Sequence, residues 1–184
     1  MYNSIGALFY VIIYYMLFYI FDFYHEIGHA REAKKLGDKV LITLRSRTLG
    51  DRYFRYKDID IYILKDQRIQ SKTYVKSNFK EYTNEQIRKI CFGGVTKTGK
   101  YIFITFIFAV SGFLFSRQIG ETFLITWFVL MILMVICIVI NCKKNQFNDF
   151  AIIKNPAAFR EYMQHTTKDT YEEINKIIND IMKE

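Results

Sequence analysis

Three uncharged apolar runs, Ile5 to Phe21, Tyr101 to Phe115 and Thr122 to Cys142, constrain this chain more than any other feature. A helix rising about 1.5 Å per residue needs about 20 apolar residues to cross roughly 30 Å of hydrocarbon. The third run meets that length and the first nearly does. The second is short, and reaches it with help from the preceding segment, Lys97 and Lys100 snorkelling toward head groups. The expected fold class is therefore an α-helical membrane protein with three core transmembrane helices, over about 5–24, 96–115 and 122–142. A cleaved signal peptide would also explain the first run, but no basic segment precedes it and no small-residue cleavage site follows it. A buried soluble helix would show a polar face, which the third run lacks.

The remaining sequence is basic. The chain is 51% hydrophobic and 17% aromatic, yet its formal charge is +8. Arg31, Lys34, Lys35 and Lys39 follow the first run, and Arg88, Lys89, Lys97 and Lys100 precede the second. The positive-inside rule then places the N-terminus outside and both the long loop and the C-terminus in the cytosol. The expected location is integral to a membrane, the bacterial cytoplasmic one. A basic inner-leaflet surface makes the lipid bilayer a partner, and the charge requires no nucleic acid. Cys91, Cys137 and Cys142 imply no disulfide framework.

Between the spans, "KVLITLRS", "RYFRY" and "DIDIYIL" alternate β-branched or aromatic residues with polar ones, separated by "TLGD" and "KD" turn signals. Residues 39–75 are expected to form a small membrane-associated antiparallel sheet or hairpin. Thr83 and Gln86 form a capping box ahead of a short helix that stops at a Gly-Gly pair. Tyr171, Ile174, Ile178 and Ile181 recur at helical spacing, predicting a C-terminal amphipathic helix with Asp169 or Thr170 as its N-cap. Residues 1–156 would then be the core and 157–184 a cytosolic helical tail.

The chemistry concentrates in "HEIGHAREAKKLG". On a helix, His25 and His29 lie one turn apart on one face, so both imidazoles can reach one tetrahedral Zn²⁺. In zinc hydrolases with H-E-x-x-H the glutamate, here Glu26, takes the proton of the metal-bound water. Incidental capping or solvated histidines are the bland reading, but two of the chain's three histidines are here, at the edge of an apolar run. A third ligand is needed. Glu32 and Asp22 extend the histidine row too far along the helix, about 10 Å end to end, for donors that must each lie about 2 Å from one ion. The expected topology brings the end of the third run to the same side, which favours Asp149 over Cys142 or His165. As an alternative, Asn148-Asp149 is a turn or N-cap pair.

With "HEIGHAREAKKLG" closing a first apolar run, a strand-rich insertion, a Gly-Gly entry at "FGGVTKT" and an aspartate in "FNDFAIIKNP", the chain resembles the site-2 protease family of intramembrane zinc metalloproteases. The resemblance covers roughly Ile5 to Pro156, without PDZ or CBS domains. It implies a zinc metalloendopeptidase that hydrolyses a peptide bond of a transmembrane or membrane-bound protein substrate near the cytosolic face. Zn²⁺ on His25, His29 and Asp149 would polarise water and carbonyl, with Glu26 as general base. An exposed edge of the 39–75 sheet would take the substrate as an added strand. Two alternatives stand beside it: a non-catalytic relative of that fold that binds metal or a partner, and a non-metal membrane scaffold or immunity-type protein.

Overall fold

Strand Val40–Arg45 (β1) is buried at every position but its last, so it lies inside a sheet covered on both faces. The computed structural model describes residues 20–46, 50–65, 71–77, 79–114, 117–144, 148–166 and 170–183. The other strands are Arg52–Tyr56 (β2), Ile59–Leu64 (β3) and Lys72–Val75 (β4), in spatial order β2-β3-β1-β4. β1 pairs parallel with β3 and antiparallel with β4, while β2 and β3 form a hairpin. The antiparallel sheet expected over 39–75 is thus a mixed one. The alternation of side chains was legible, but strand order depends on which faces the helices cover.

Among the described residues six α-helices accompany the sheet: residues 20–35 (α1), Asn84–Ser111 (α2), Arg117–Lys144 (α3), Asp149–Lys154 (α4), Pro156–His165 (α5) and Tyr171–Ile181 (α6). The chain divides into two units, one of Asp22–Lys97 with Asp149–Glu184, the other of Met1–Phe21 with Thr98–Asn148.

In the first unit, α6 covers one sheet face. Ile174 and Ile178 pack with Leu41, Leu64 and Tyr74, and full burial of an isoleucine contributes about 1.5–3 kcal/mol. Thr170 caps α6, its Oγ1 accepting from the Glu173 N–H at 3.3 Å. The opposite face carries Val40, Ile42, Ile61 and Thr73 by register, and α1 lies against it through Thr73 and through Phe23, which packs on Phe54 and Tyr56 of β2. α1 ends at Gly37, whose φ of 83° is easy only for glycine. There the Gly37 N–H donates to the Lys34 carbonyl and the Asp38 N–H to that of Ala33, a Schellman stop. α2 opens with the capping box in place: the Thr83 N–H donates to Gln86 Oε1 at 2.8 Å and the Gln86 N–H to Thr83 Oγ1 at 3.2 Å.

The crossing of α1 and α2 has no side chains at its centre. A Cβ on Gly28 would collide with the Gly93 carbonyl, and one on Gly93 with the Gly28 backbone. Each glycine costs a helix interior about 1 kcal/mol relative to alanine, so two here mark a close backbone approach.

In the second unit, α2 and α3 pack through Trp127, which lies edge-on to Phe106 with ring centroids 5.0 Å apart and donates from Nε1 to Thr105 Oγ1 at 3.2 Å. Among the described residues one helix, Asn84–Leu114, is long and apolar enough to cross a membrane; the shorter apolar stretch Gly120–Leu133 is not. Residues 5–19 of the first expected span lie outside the described part. The three-span architecture is therefore corrected to a mostly helical fold with a mixed open sheet. The integral-membrane localisation, its inside and outside assignments and the bilayer as partner are corrected with it, because they rested on three spans and the described residues carry one candidate.

Two substitutions at glycine should separate. Gly28→Ala should destabilise by several kcal/mol, since backbone meets backbone, whereas Gly99→Ala, with nothing within 4 Å of the added Cβ, should stabilise by about 0.5–1 kcal/mol; denaturant melts read both. The β2–β3 turn places Lys57 and Asp58 at φ 49° and 61°, a geometry that favours Asn-Gly. Replacing the pair by Asn-Gly should add about 1 kcal/mol, seen as a raised Tm.

Candidate metal centre

His25 and His29 project from α1, and Asp149 is the first residue of α4. His25 Nε2 lies 3.0 Å from Asp149 Oδ2, His29 Nε2 lies 3.2 Å from the same oxygen, and the two Nε2 atoms are 3.1 Å apart. The three side chains form a cluster able to hold a metal ion. Three donors about 2.0–2.1 Å from one tetrahedral ion stand about 3.3 Å apart. The observed triangle is within a few tenths of an ångström of that, and its imidazole and carboxylate donors suit Zn²⁺. The residues present therefore fit the group. The imidazole planes are nearly perpendicular, at 89°, which lets both lone pairs aim at a common point.

The neighbours explain the placement. His29 Nδ1–H donates to the Ile90 carbonyl of α2 at 2.8 Å, leaving Nε2 as the free lone pair of the neutral ring; such a partner fixes tautomer and orientation of a ligating imidazole. Gly94 gives the rings their room, because a Cβ there would meet His29 Cε1 and Nε2 and approach His25 Cε1 to 3.0 Å. α4 is held to α2 by Arg88, whose Nε donates to the Ile153 carbonyl at 3.0 Å, and its Ile152 is buried. Asp149 thus converges on the pair. Asp22 and Glu32 stay out of the cluster, Glu32 bonding Lys35 Nζ at 2.6 Å. Cys142 lies among residues whose side chains are not described, and His165 is exposed at the end of α5.

Glu26 points elsewhere. Its Oε2 accepts from the Thr73 hydroxyl of β4 at 2.6 Å, and that hydroxyl lies 3.0 Å from the Glu26 carbonyl. The residue is buried between helix and sheet. The direction that H-E-x-x-H assigns to a base is here occupied by a strand, so the expectation that Glu26 activates a metal-bound water, and with it the zinc metalloendopeptidase reading, is corrected to a cluster able to hold a metal ion beside a glutamate tied to the sheet. Thr73, Ile90, Gly28 and Gly94 were missed in the sequence. The one available signal was glycine inside helical pattern at "HEIGH" and "FGGV".

Protons compete for the same atoms. Burial alone would lower His29, but the Asp149 carboxylate on its Nε2, the charge of Glu26 and the Ile90 carbonyl outweigh it and raise its pKa to about 9. Burial alone would raise Asp149, but hydrogen bonds from His25 and His29 hold it well below the usual carboxylate range. A group raised from 6.5 to about 9 on folding stabilises fully below pH 6.5, and that contribution is lost as pH rises through 9. The Asp149 contribution is present above its ordinary 3.8 and is lost only as pH falls well below that. The metal-free chain should therefore lose stability, on the order of 3 kcal/mol at most, between about pH 6 and 9.5. Chemical denaturation across that range checks it, and His29→Ala should flatten the slope.

Compared with protein-family models, curated proteins and solved structures, the chain matches none. With no family match and one membrane-length helix among the described residues, the resemblance to site-2 proteases is set aside, together with intramembrane proteolysis and a membrane-bound peptide substrate.

Proposed function

We propose that this chain is a non-catalytic metal-binding protein in which His25, His29 and Asp149 hold a divalent transition-metal ion, Zn²⁺ by preference. The carrying observation is the triangle of two Nε2 atoms and one Oδ2, each pair 3.0–3.2 Å apart. The first two donors share one helix and the third lies 120 positions beyond His29 in sequence. An ion bound there would be a cross-link between distant segments, and any ligand that binds only the folded state stabilises it. His29 is the anchor, buried and oriented by the Ile90 carbonyl. His25 and Asp149 are partly exposed and close the site from the solvent side. Imidazole nitrogens favour Zn²⁺ over the hard cations Mg²⁺ and Ca²⁺. Three protein donors leave one tetrahedral position for water or an exogenous ligand.

Elemental analysis after exhaustive dialysis against Zn²⁺ should find about one ion per chain, and a free Zn²⁺ concentration 100-fold above Kd should add about 2.7 kcal/mol of stability. His29→Ala and Asp149→Ala should each abolish the added stability. Glu26→Gln should bind the ion as the parent chain does, because Glu26 serves the sheet. Substoichiometric metal, or a parent-like shift in Asp149→Ala, would sink the reading.

A further inference from the structure

Away from the histidines, the Asp22–Lys97 segment encloses a cleft of about 420 Å³. That is within the roughly 300–1,000 Å³ range of small-molecule sites. Its charge has one sign. Arg31, Lys34 and Lys35 of α1, Lys57 of the β2–β3 turn and Lys97 of α2 line it, and no carboxylate is among the lining residues, while Lys35 pairs at 2.6 Å with Glu32, which lies outside the lining. Its floor is apolar: Ile27 and Ile59 are 4% and 2% exposed, while Tyr24 and Tyr56 at its wall are 44% and 41% exposed. Cations gathered over a low-dielectric floor repel one another and focus a positive potential into the cleft.

The cations come from three elements that the fold holds in register. Arg31, Lys34 and Lys35 stand at i, i+3 and i+4, on one helix face. Lys57 is presented by the turn with two left-handed residues, which Lys34 ties down by donating from Nζ to the Asp58 carbonyl at 3.2 Å. Lys57 Nζ also lies 5.4 Å from the centre of the Tyr56 ring, so cation and flat ring face the same space. A monocarboxylate would engage one or two of these cations; a diphosphate presents enough oxygens for all of them.

We propose that this cleft binds a small phosphorylated ligand carrying a flat ring, of the nucleoside diphosphate class, with phosphates on Arg31, Lys57 and the α1 lysines and the ring against Tyr24 or Tyr56. The site is independent of the metal centre. ADP is the probe, titrated calorimetrically into the full chain without divalent cations. One-site binding that weakens with salt is expected, with pyrophosphate and dodecyl phosphate each binding about tenfold or more weaker than ADP. Arg31→Gln and Lys57→Asn should each weaken ADP by about tenfold while leaving Zn²⁺ stoichiometry unchanged, and Asp149→Ala should leave ADP binding unchanged. The proposal is overturned by absence of saturable ADP binding, or by binding that Arg31→Gln and Lys57→Asn do not alter. Pyrophosphate binding as tightly as ADP would remove the ring, and a preference for dodecyl phosphate would make the cleft a site for acyl chains instead.

Discussion

The contact between Gly28 of α1 and Gly93 and Gly94 of α2 is the constraint on which the candidate centre depends. With no side chain at the crossing, the helix backbones approach closely enough for the Ile90 carbonyl to accept from His29 Nδ1 at 2.8 Å. That bond turns the Nε2 lone pair outward, and the space a Gly94 Cβ would fill is the space the imidazoles occupy. A side chain at Gly94 would meet His29 Nε2 itself, and one at Gly28 or Gly93 would meet the facing backbone and push the helices apart.

Asp149 completes the arrangement from a different part of the chain, and what holds it is packing. Ile152 is buried one turn further along α4, and Asn155 caps α5 while Pro156 starts it, so the short helix is fixed at both ends. Phe159 of α5 packs on Phe79 with ring centroids 5.2 Å apart, and Arg160 reaches the Tyr82 carbonyl at 3.4 Å. Tyr82 in turn donates to Asp38 Oδ2 at 2.6 Å, just after the end of α1. The aspartate is thus placed by a chain of contacts returning to the helix that carries the histidines.

The two histidines were legible as candidate ligands because metal-ligand residue types at helical spacing leave few alternatives, whereas Asp149 was favoured through a three-span topology that the structure does not carry. Local signals were also legible: the capping box at Thr83, the stop at Gly37 and the cap at Thr170 each depend on residues within a few positions of one another. What was not legible depended on tertiary neighbours. Uncharged runs suggested three spans, yet apolar length alone does not say whether a helix meets lipid or protein. Strand periodicity gave the inward faces of β1 and β3 but not their parallel pairing, which arises because the β2–β3 hairpin folds back beside β1. Glu26 was read by motif, and a motif carries no information about a threonine on a strand 47 positions away.

The geometry of α1 explains why one short helix can carry so many roles without conflict. At about 100° per residue, Glu26, Ala30 and Ala33 fall on a common side, the one that meets the sheet, and all three are buried. His25 and His29 fall on the next side, Gly28 and Glu32 on the one beyond, facing Gly93. Tyr24, Ile27, Arg31 and Lys34 occupy the remaining side, across the helix from the imidazoles, where they wall the basic cleft. In a zinc hydrolase the glutamate must share the metal's surroundings, which requires the region beside the histidine face to be open. Here that flank is closed by β4, so the glutamate that elsewhere in this motif supplies a base instead fastens the histidine-bearing helix to its sheet.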